Sequence, residues 1–248
     1  MQRKRVDLVL VERGLFDSRA KAKAAIEAGG VRVAGQTLAR ASDLVDPQAD
    51  IEAVAAHPFV GRGALKLDHA LRLWPIAVEG RVALDVGAST GGFSQVCLLH
   101  GARRVYAVDV GQGQLHPSLA SDPRVINLEH TDARKLGPAH VPEPLQLIVC
   151  DASFIGLAKV LPAALGLATE GADLVALIKP QFEVGPQGVG KGGLVKDAGL
   201  REAAATAVQD WLEAQGWRVQ ARTLSPISGS DGNIEYLVWA RKAQNPSS

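Results

Sequence analysis

Four short apolar runs, separated by helical patterns, constrain the fold of this chain more than any other feature. Strands of a parallel sheet that are buried on both faces are continuously apolar, and strands that alternate with helices form open α/β sheets. The run Asp197–Gln215 has the spacing of an amphipathic helix, with one apolar face formed by Leu200, Ala204, Val208, Trp211 and Leu212. Two later strands follow it at Trp217–Thr223 and Ile234–Ala240. The sequence therefore predicts an α/β fold with a mostly parallel sheet. The four runs are Val82–Val86, Val105–Val110, Leu145–Cys150 and Leu174–Ile178.

Composition narrows the class of protein. The chain has 248 residues, of which 47% are hydrophobic and 21% charged, and this is enough apolar material for a large core. No apolar run approaches the ~20 residues that span a bilayer, and the N-terminus lacks the apolar core of a signal peptide. The two cysteines cannot form a disulfide framework or a four-cysteine metal site. We expect a globular cytoplasmic protein without a metal.

The first forty residues are basic and have a different pattern. They carry nine Lys and Arg against four Asp and Glu, whereas the other 208 residues carry 18 against 22. Two helices, Val6–Glu12 and Arg19–Ala28, precede a hairpin that turns at Ala34-Gly35. Such a local excess of positive charge favours a nucleic-acid-binding module, although a solvated helix face would explain the charge equally well.

A glycine-rich loop follows the first apolar run, where open α/β folds bind their ligands. The spacing Gly-x-x-x-Gly-Gly differs from the Gly-x-Gly-x-x-Gly of dinucleotide-binding folds. The segment Gly87–Gly91 satisfies the Gly-x-Ser-x-Gly pattern of a nucleophile elbow, but that fold needs a late histidine and the last one here is His140. The spacing Asp-x-Gly-x-x-x-Gly-Gly resembles the first motif of Rossmann-like methyltransferases, and this resemblance, which we favour, implies a loop that binds S-adenosylmethionine. The full segment is Leu84-Asp85-Val86-Gly87-Ala88-Ser89-Thr90-Gly91-Gly92-Phe93.

Two further carboxylates fit that interpretation. Asp109 ends the second strand, 22 residues after Gly87, where a carboxylate can accept both ribose hydroxyls of a nucleoside. Asp132 follows the expected third strand and could face an adenine amino group. Both residues would also suit a turn or a helix cap without any ligand.

A second glycine-rich segment is a decoy. Gly185–Lys191 matches Gly-x-x-x-x-Gly-Lys, but Gly192 stands where a nucleotide-binding loop has the hydroxyl that holds Mg²⁺. A glycine-rich loop near a substrate is the better interpretation of this segment.

Charged residues at strand ends form the candidate catalytic group. Asp151 and Lys179 each follow an apolar strand directly, Glu235 lies inside the last apolar strand, and Lys66 lies at the start of a helix before the sheet. Charges beside apolar packing must be paired or perturbed. Two lysines and two acids in one cluster suit proton removal from a ribose 2′-hydroxyl, with a desolvated lysine as the base. An ion-pair network without catalytic function is the alternative.

Over nearly its full length, the chain resembles the TlyA / hemolysin A family of ribosomal RNA 2′-O-methyltransferases, and its larger part resembles the FtsJ type of catalytic domain. The resemblance implies a Rossmann-like methyltransferase fold with a seven-stranded sheet. The matching segments are Gly61-Arg62-Gly63-Ala64-Leu65-Lys66-Leu67, Leu84–Phe93, Tyr106–Leu115, Asp151-Ala152-Ser153-Phe154-Ile155, Lys179-Pro180-Gln181-Phe182-Glu183 and Gly190-Lys191-Gly192-Gly193.

The resemblance also implies roles for individual residues. Enzymes of this type use a Lys-Asp-Lys-Glu tetrad, which matches Lys66, Asp151, Lys179 and Glu235, with Lys179 as the base and Asp151 as its orienting partner. The implied cofactor is S-adenosylmethionine, and the implied partners are ribosomal RNA or ribosomal subunits. The residues expected to bind the cofactor are Asp85, Gly87, Ala88, Ser89, Thr90, Gly91, Gly92, Phe93, Asp109 and Asp132.

The N-terminal region resembles the RNA-binding domain of ribosomal protein S four, although its usual Asn-Gly turn is Ala34-Gly35 here. We expect this domain at residues 1–56, a linker at 57–62, the methyltransferase domain at 63–243 and a tail at 244–248. A non-catalytic RNA-binding protein and a membrane-lytic protein are the rival hypotheses. The residues expected to contact RNA phosphates are Arg5, Arg19, Lys21, Lys23 and Arg32.

Overall fold

The computed structural model describes residues 3–229 and 231–244, so the last four residues of the expected tail lie outside it. The chain divides into two compact units, residues 1–58 and 59–248. The division falls within the segment 57–62, where a linker was expected.

The smaller unit is the expected α+β module. Its two helices pack on each other over a core that includes Val6, Leu10, Ile26 and Val31. Ser18 caps the second helix by accepting a hydrogen bond from the backbone N–H of Lys21. The elements are β1 (Lys4–Arg5), α1 (Val6–Glu12), α2 (Arg19–Glu27), β2 (Val31–Val33), β3 (Gln36–Thr37), β4 (Leu44–Val45) and β5 (Ile51–Ala53). All strand pairs in this unit are antiparallel, with β1 beside β4 and β2 between β3 and β5.

The larger unit contains a seven-stranded sheet, as predicted. Its order is β11-β12-β10-β9-β6-β7-β8, and β6 to β10 run parallel to one another, whereas β12 is antiparallel to both of its neighbours. The strands are β6 (Val82–Val86), β7 (Arg104–Val108), β8 (Val125–Leu128), β9 (Leu145–Cys150), β10 (Ala168–Ile178), β11 (Trp217–Leu224) and β12 (Tyr236–Lys242).

Both faces of this sheet are covered, which explains the uninterrupted apolar runs. Val82 and Leu84 of β6 belong to one core cluster, and Ala83 between them belongs to the cluster on the opposite face. The helices are α3 (Ala64–Leu73), α4 (Gly92–Leu99), α5 (Pro117–Ala120), α6 (Leu157–Val160), α7 (Pro162–Leu167), α8 (Pro180–Glu183) and α9 (Ala198–Ala214).

Several expected bounds were wrong. Strand β10 begins at Ala168, six residues before the expected start, because its polar first part still pairs with β9 at Leu145. Strand β7 ends at Val108, and Val110 beyond it is exposed. The last strand begins at Tyr236, so Glu235 precedes the strand and does not lie inside it.

The helix α9 also differs in detail from the expectation. Asp197 caps it by accepting hydrogen bonds from two backbone N–H groups, and Ala204, Val208 and Leu212 are buried as expected. Leu200, which was assigned to the same apolar face, is 42% exposed because it lies in the first turn.

Candidate active site

The glycine loop between β6 and α4 is shaped for close approach of a ligand. Gly87 has φ +82°, and a Cβ at this position would lie 2.8 Å from the Cα of Ala152. Gly91, with φ +90°, begins α4 in the left-handed region, and Ser89 between them has φ +48°. Such backbone angles at glycine keep the main chain of the loop within reach of a bound molecule.

Asp85, at the end of β6, is hydrogen-bonded to the helix that follows the loop. Its side chain is fully buried, and its Oδ2 accepts hydrogen bonds from the backbone N–H and the hydroxyl of Ser94 in α4. Burial raises the pKa of Asp85 to about 7, and nearby carboxylates contribute. Asp85 and Gly91 do not line either of the two cavities described below, although both were expected to bind the cofactor.

The larger cavity, of about 810 Å³, lies along the ends of β6, β7 and β9. Asp109 lines it and accepts hydrogen bonds from the backbone N–H groups of Ser89 (2.9 Å) and Gly111 (2.7 Å), which fixes the carboxylate beside the glycine loop. Asp132 lines it as well, and a two-point contact with Arg134 holds its carboxylate and lowers its pKa to about 2. The structure therefore places both predicted carboxylates on one cavity.

The smaller cavity, of about 370 Å³, lies on the other side of the loop. Six predicted cofactor residues line it, and two of them, Gly87 and Ser89, line both cavities; the other four are Ala88, Thr90, Gly92 and Phe93. The two cavities also share the wall formed by Asp151, Ser153, Phe154 and Phe182. A molecule in one cavity would thus meet a molecule in the other at this wall.

The four residues of the predicted tetrad line the smaller cavity, and Asp151 is also part of the shared wall. Lys66 comes from the first turn of α3, Asp151 and Lys179 follow β9 and β10, and Glu235 precedes β12. The Nζ of Lys66 lies 2.6 Å from the Oε2 of Glu235 and 3.9 Å from the Oδ1 of Asp151. The Nζ of Lys179 lies 2.7 Å from the same Oδ1. The carboxylate of Asp151 therefore stands between the two ammonium groups.

Burial makes this arrangement costly unless its charges cancel. The side chains of Lys66, Lys179 and Glu235 are less than 10% exposed, and that of Asp151 is 20% exposed. Two lysines and two acids form a cluster without net charge, which reduces the desolvation penalty of each member. The structure thus brings the four predicted residues together, and a lysine beside a carboxylate is an arrangement that can remove a proton.

Lys179 has two further contacts that the sequence did not indicate. Its Nζ donates hydrogen bonds to the backbone carbonyl of Asp151 (3.1 Å) and to the hydroxyl of Ser153 (2.8 Å). Ser153 belongs to the motif Asp151–Ile155, so its position in the motif was the available signal. Its neighbour Phe154 is 91% exposed, has φ +67° and contacts the ring of Phe182 at a centroid distance of 5.5 Å.

Arg62 is another lining residue that sequence reasoning missed as part of the site. It lines the smaller cavity, and its guanidinium donates a 2.6 Å hydrogen bond to the backbone carbonyl of Ser228. This contact holds the segment before β12 against the start of α3. The signal was again positional, because Arg62 belongs to the same motif as Lys66.

Two of the five expected RNA-binding residues converge on one buried carboxylate in the smaller unit. Arg5 and Arg19 contact Asp7 at 3.0 and 2.8 Å, and Asp7 is 3% exposed. The hydrogen bond from Arg5 is the main cause that lowers the pKa of Asp7. Two guanidinium groups on one carboxylate leave a net positive charge at this point of the surface.

The other three expected RNA-binding residues lie on the exposed side of the smaller unit. Lys21 pairs with Asp17, which precedes α2, at 2.9 Å, and Lys23 pairs with Glu27 of α2 at 3.6 Å. The partners of each pair are four residues apart in the chain. Arg32 is exposed on β2. Exposed pairs of this kind contribute only about 0.3–0.5 kcal/mol, so an incoming phosphate can replace the acid.

The structure gives no support to a nucleotide-binding loop, a membrane-spanning helix or a metal site within the residues that it describes. The segment Gly185–Lys191 folds mainly into 3₁₀ turns, Pro186–Gly188 and Lys191–Gly193, which differs from the loop-to-helix start of a nucleotide-binding loop. Among residues 3–229 and 231–244, no helix is long and apolar enough to cross a membrane. Within the same ranges there is no group of three or more His, Cys, Asp or Glu residues that could hold a metal ion.

Comparison with known proteins agrees with this architecture. Residues 59–242 match the model of the FtsJ-like methyltransferases and residues 4–51 that of the S4 domain. The 16S/23S rRNA (cytidine-2′-O)-methyltransferase TlyA of Mycobacterium tuberculosis is 47% identical over 97% of this chain and 90% of its own length. Hemolysin A of Brachyspira hyodysenteriae is 38% identical over 94% of this chain and 98% of its own length.

A solved structure extends the likeness to three dimensions. A candidate hemolysin from Streptococcus thermophilus is 36% identical, superposes with a TM-score of 0.78, and covers 99% of this chain and 90% of its own. The expected resemblance, the fold class and the methyltransferase assignment are confirmed. With its glycine loop, its charged tetrad and its two matched domains, the chain belongs to the FtsJ-like methyltransferase family and carries an S4 domain at its N-terminus.

Proposed function

We propose that this protein methylates a ribose 2′-hydroxyl of ribosomal RNA with S-adenosylmethionine as methyl donor. The observation that carries the proposal is the position of the tetrad. Lys66, Asp151, Lys179 and Glu235 line the smaller cavity, Asp151 also belongs to the wall that this cavity shares with the larger one, and the glycine loop borders both cavities. A donor in one cavity and a nucleotide in the other would react at this wall.

The larger cavity fits the donor. Gly87 of the loop lines this cavity, and its lack of a side chain leaves the loop backbone open to the methionine part. The carboxylate of Asp109 accepts one backbone N–H on each oxygen and keeps further lone pairs for ribose hydroxyls. Asp132 would contact the adenine from the same cavity. When bound, the donor supplies an electrophilic methyl group on a sulfonium.

The protein's own residues position and activate the nucleophile. Lys179 takes the proton of the 2′-hydroxyl, Asp151 orients Lys179, and the pair Lys66–Glu235 holds Asp151 in place. Holding the hydroxyl in line with the methyl group converts a bimolecular reaction into an intramolecular one, which can contribute up to ~7–11 kcal/mol. None of these steps needs a metal ion.

The S4 domain would bring the RNA to the site. Relatives of this chain are named for methylation of cytidine in 16S and 23S rRNA, which supports ribosomal subunits as partners and cytidine as the target nucleoside. The basic side chains Arg5, Arg19, Lys21, Lys23 and Arg32 would contact phosphates, and such contacts position an RNA without specifying its sequence.

Transfer of labelled methyl from S-adenosylmethionine to purified small and large ribosomal subunits tests the proposal. We expect label in RNA, at a linkage that resists alkaline hydrolysis, and loss of the label with Lys179→Ala. Asp109→Ala should weaken binding of the methyl donor in calorimetry. Undiminished label with Lys179→Ala would remove this residue as the base, and no label on either subunit would contradict the proposal.

Membrane lysis is the rival that the name of one relative suggests. Leakage of dye from liposomes separates the two activities. Methyl transfer depends on Gly87 and Asp109, whereas lysis would not, so leakage that is equal in the wild type and in Asp109→Ala would support a lytic activity.

A further inference from the structure

Three contacts surround the amine of Lys179, and they differ in one chemical respect. The Oδ1 of Asp151 lies at 2.7 Å, its backbone carbonyl at 3.1 Å and the hydroxyl of Ser153 at 2.8 Å. The Nζ donates hydrogen bonds to the carbonyl and to the hydroxyl, whereas its contact with Oδ1 is an ion pair without a hydrogen bond. Carboxylate and carbonyl oxygens only accept hydrogen bonds. Ser153 is the one partner of the three that can also donate.

This difference decides where a neutral Lys179 would direct its lone pair. A neutral amine keeps two N–H groups, and the carbonyl and carboxylate oxygens of Asp151 can face only those groups, because they accept and never donate. The lone pair then faces the third partner, the hydroxyl of Ser153, which can turn its hydrogen toward the nitrogen. Lys179 lines the smaller cavity, but its side chain is only 8% exposed.

Ser153 is more exposed to a bound substrate than Lys179. Its residue is exposed, and it lines both the larger and the smaller cavity. Its hydroxyl thus stands between the buried amine and the place where the two cavities meet. An oxygen there can accept a hydrogen bond from a substrate hydroxyl while it donates to the amine.

We propose that Ser153 is a catalytic residue that relays the proton from the substrate hydroxyl to Lys179. This inference rests on the function proposed above. As the bond between O2′ and the methyl group forms and the sulfur–methyl bond breaks, the O2′ proton moves to Oγ of Ser153. The original Ser153 proton moves to Nζ of Lys179. The products are the 2′-O-methylated ribose, the demethylated donor and a protonated Lys179, so atoms and charges balance.

Kinetics of Ser153→Ala on ribosomal subunits test the relay. We expect kcat to fall by about 10²-fold, as for loss of a group that transfers a proton, with little change in KM for the subunits. Ser153→Thr keeps the hydroxyl and should restore most of the activity. The matched control is Ser121→Ala, an exposed serine outside both cavities, which should keep the wild-type rate.

A double-mutant comparison shows whether the loss of rate in Ser153→Ala arises through Lys179 or through a general change in the structure of the site. If Ser153 acts only through Lys179, Ser153→Ala causes no further loss in a Lys179→Ala background, measured as residual single-turnover rate. The relay is overturned if Ser153→Ala keeps the wild-type kcat, or if its full loss persists without Lys179. No transfer by the wild-type chain would overturn the proposed function itself, and with it the relay.

Discussion

The buried carboxyl of Asp85 gives this fold a pH dependence that one substitution should remove. Its Oδ2 accepts two hydrogen bonds from Ser94, its Oδ1 has no hydrogen-bond partner in the described part of the chain, and burial raises its pKa from 3.8 to about 7. Between these two values the unfolded chain ionises this carboxyl and the folded chain keeps it protonated. Stability therefore falls as the pH rises through this window, and it levels off above pH 7.

The size of the effect follows from the shift. One pKa unit corresponds to about 1.4 kcal/mol, so the free energy of unfolding should lose about 3 kcal/mol between pH 5 and pH 8.5 through this residue alone. Asp85→Asn keeps an acceptor for Ser94 and cannot ionise. The change in unfolding free energy that comes from replacing the carboxyl with an amide is the same at both pH values. The difference in unfolding free energy between variant and wild type should thus shift by about 3 kcal/mol in favour of the variant.

Denaturant unfolding followed by tryptophan fluorescence measures this difference in the relevant unit, because all four tryptophans, at positions 74, 211, 217 and 239, lie in residues 59–248. Asp122→Asn is the matched control. Its carboxyl is held by Arg124, which lowers its pKa, so its substitution should produce no such gain as the pH rises. Parallel stability curves for Asp85→Asn and wild type from pH 5 to pH 8.5 would refute the reasoning.

Three further predictions address packing and the loop. Asp173 is fully buried and accepts hydrogen bonds from two arginines and a tryptophan, so Asp173→Ala should cost about 3–5 kcal/mol in the same denaturation assay. Gly87→Ala should abolish binding of the methyl donor in calorimetry, whereas Gly113→Ala, also at positive φ but in open space, should retain it. Glu183 accepts a 2.8 Å hydrogen bond from the backbone N–H of Leu157, so its alanine variant should lower kcat and its glutamine variant should preserve it in the methyl-transfer assay.

The parallel part of the site could be predicted because parallel strands end at one edge of a sheet. Asp151 and Lys179 follow two buried strands directly, and β9 and β10 are neighbours, so their proximity follows from the strand pattern alone. Lys66 and Glu235 do not follow parallel strands, so the strand pattern does not predict their positions. One lies in a helix before the sheet and the other before an antiparallel strand, and the resemblance to a family was needed to assign them.

Tertiary contacts explain what the sequence could not show. The polar start of β10 is a strand only because β9 offers it a partner, and Glu235 lies outside β12 because the strand pairing begins at Tyr236. The contact between Ser153 and Lys179 joins residues 26 positions apart through a loop with a left-handed backbone at Phe154. Hydrophobic periodicity does not predict such a loop, because it specifies neither a positive φ nor the direction of a side chain.

The exposure of an acid decides how firmly it holds its cations. At the tetrad, the carboxylate of Asp151 lies 2.7 and 3.9 Å from two buried lysines, so removal of the acid would leave their charges unpaired. In the smaller unit, the buried Asp7 holds Arg5 and Arg19 in the same way. The acids that pair with Lys21 and Lys23 are exposed instead, and such pairs are weak enough for a phosphate to displace them. Among the cations proposed to contact RNA, Lys21 and Lys23 are therefore better able to exchange partners than Arg5 and Arg19.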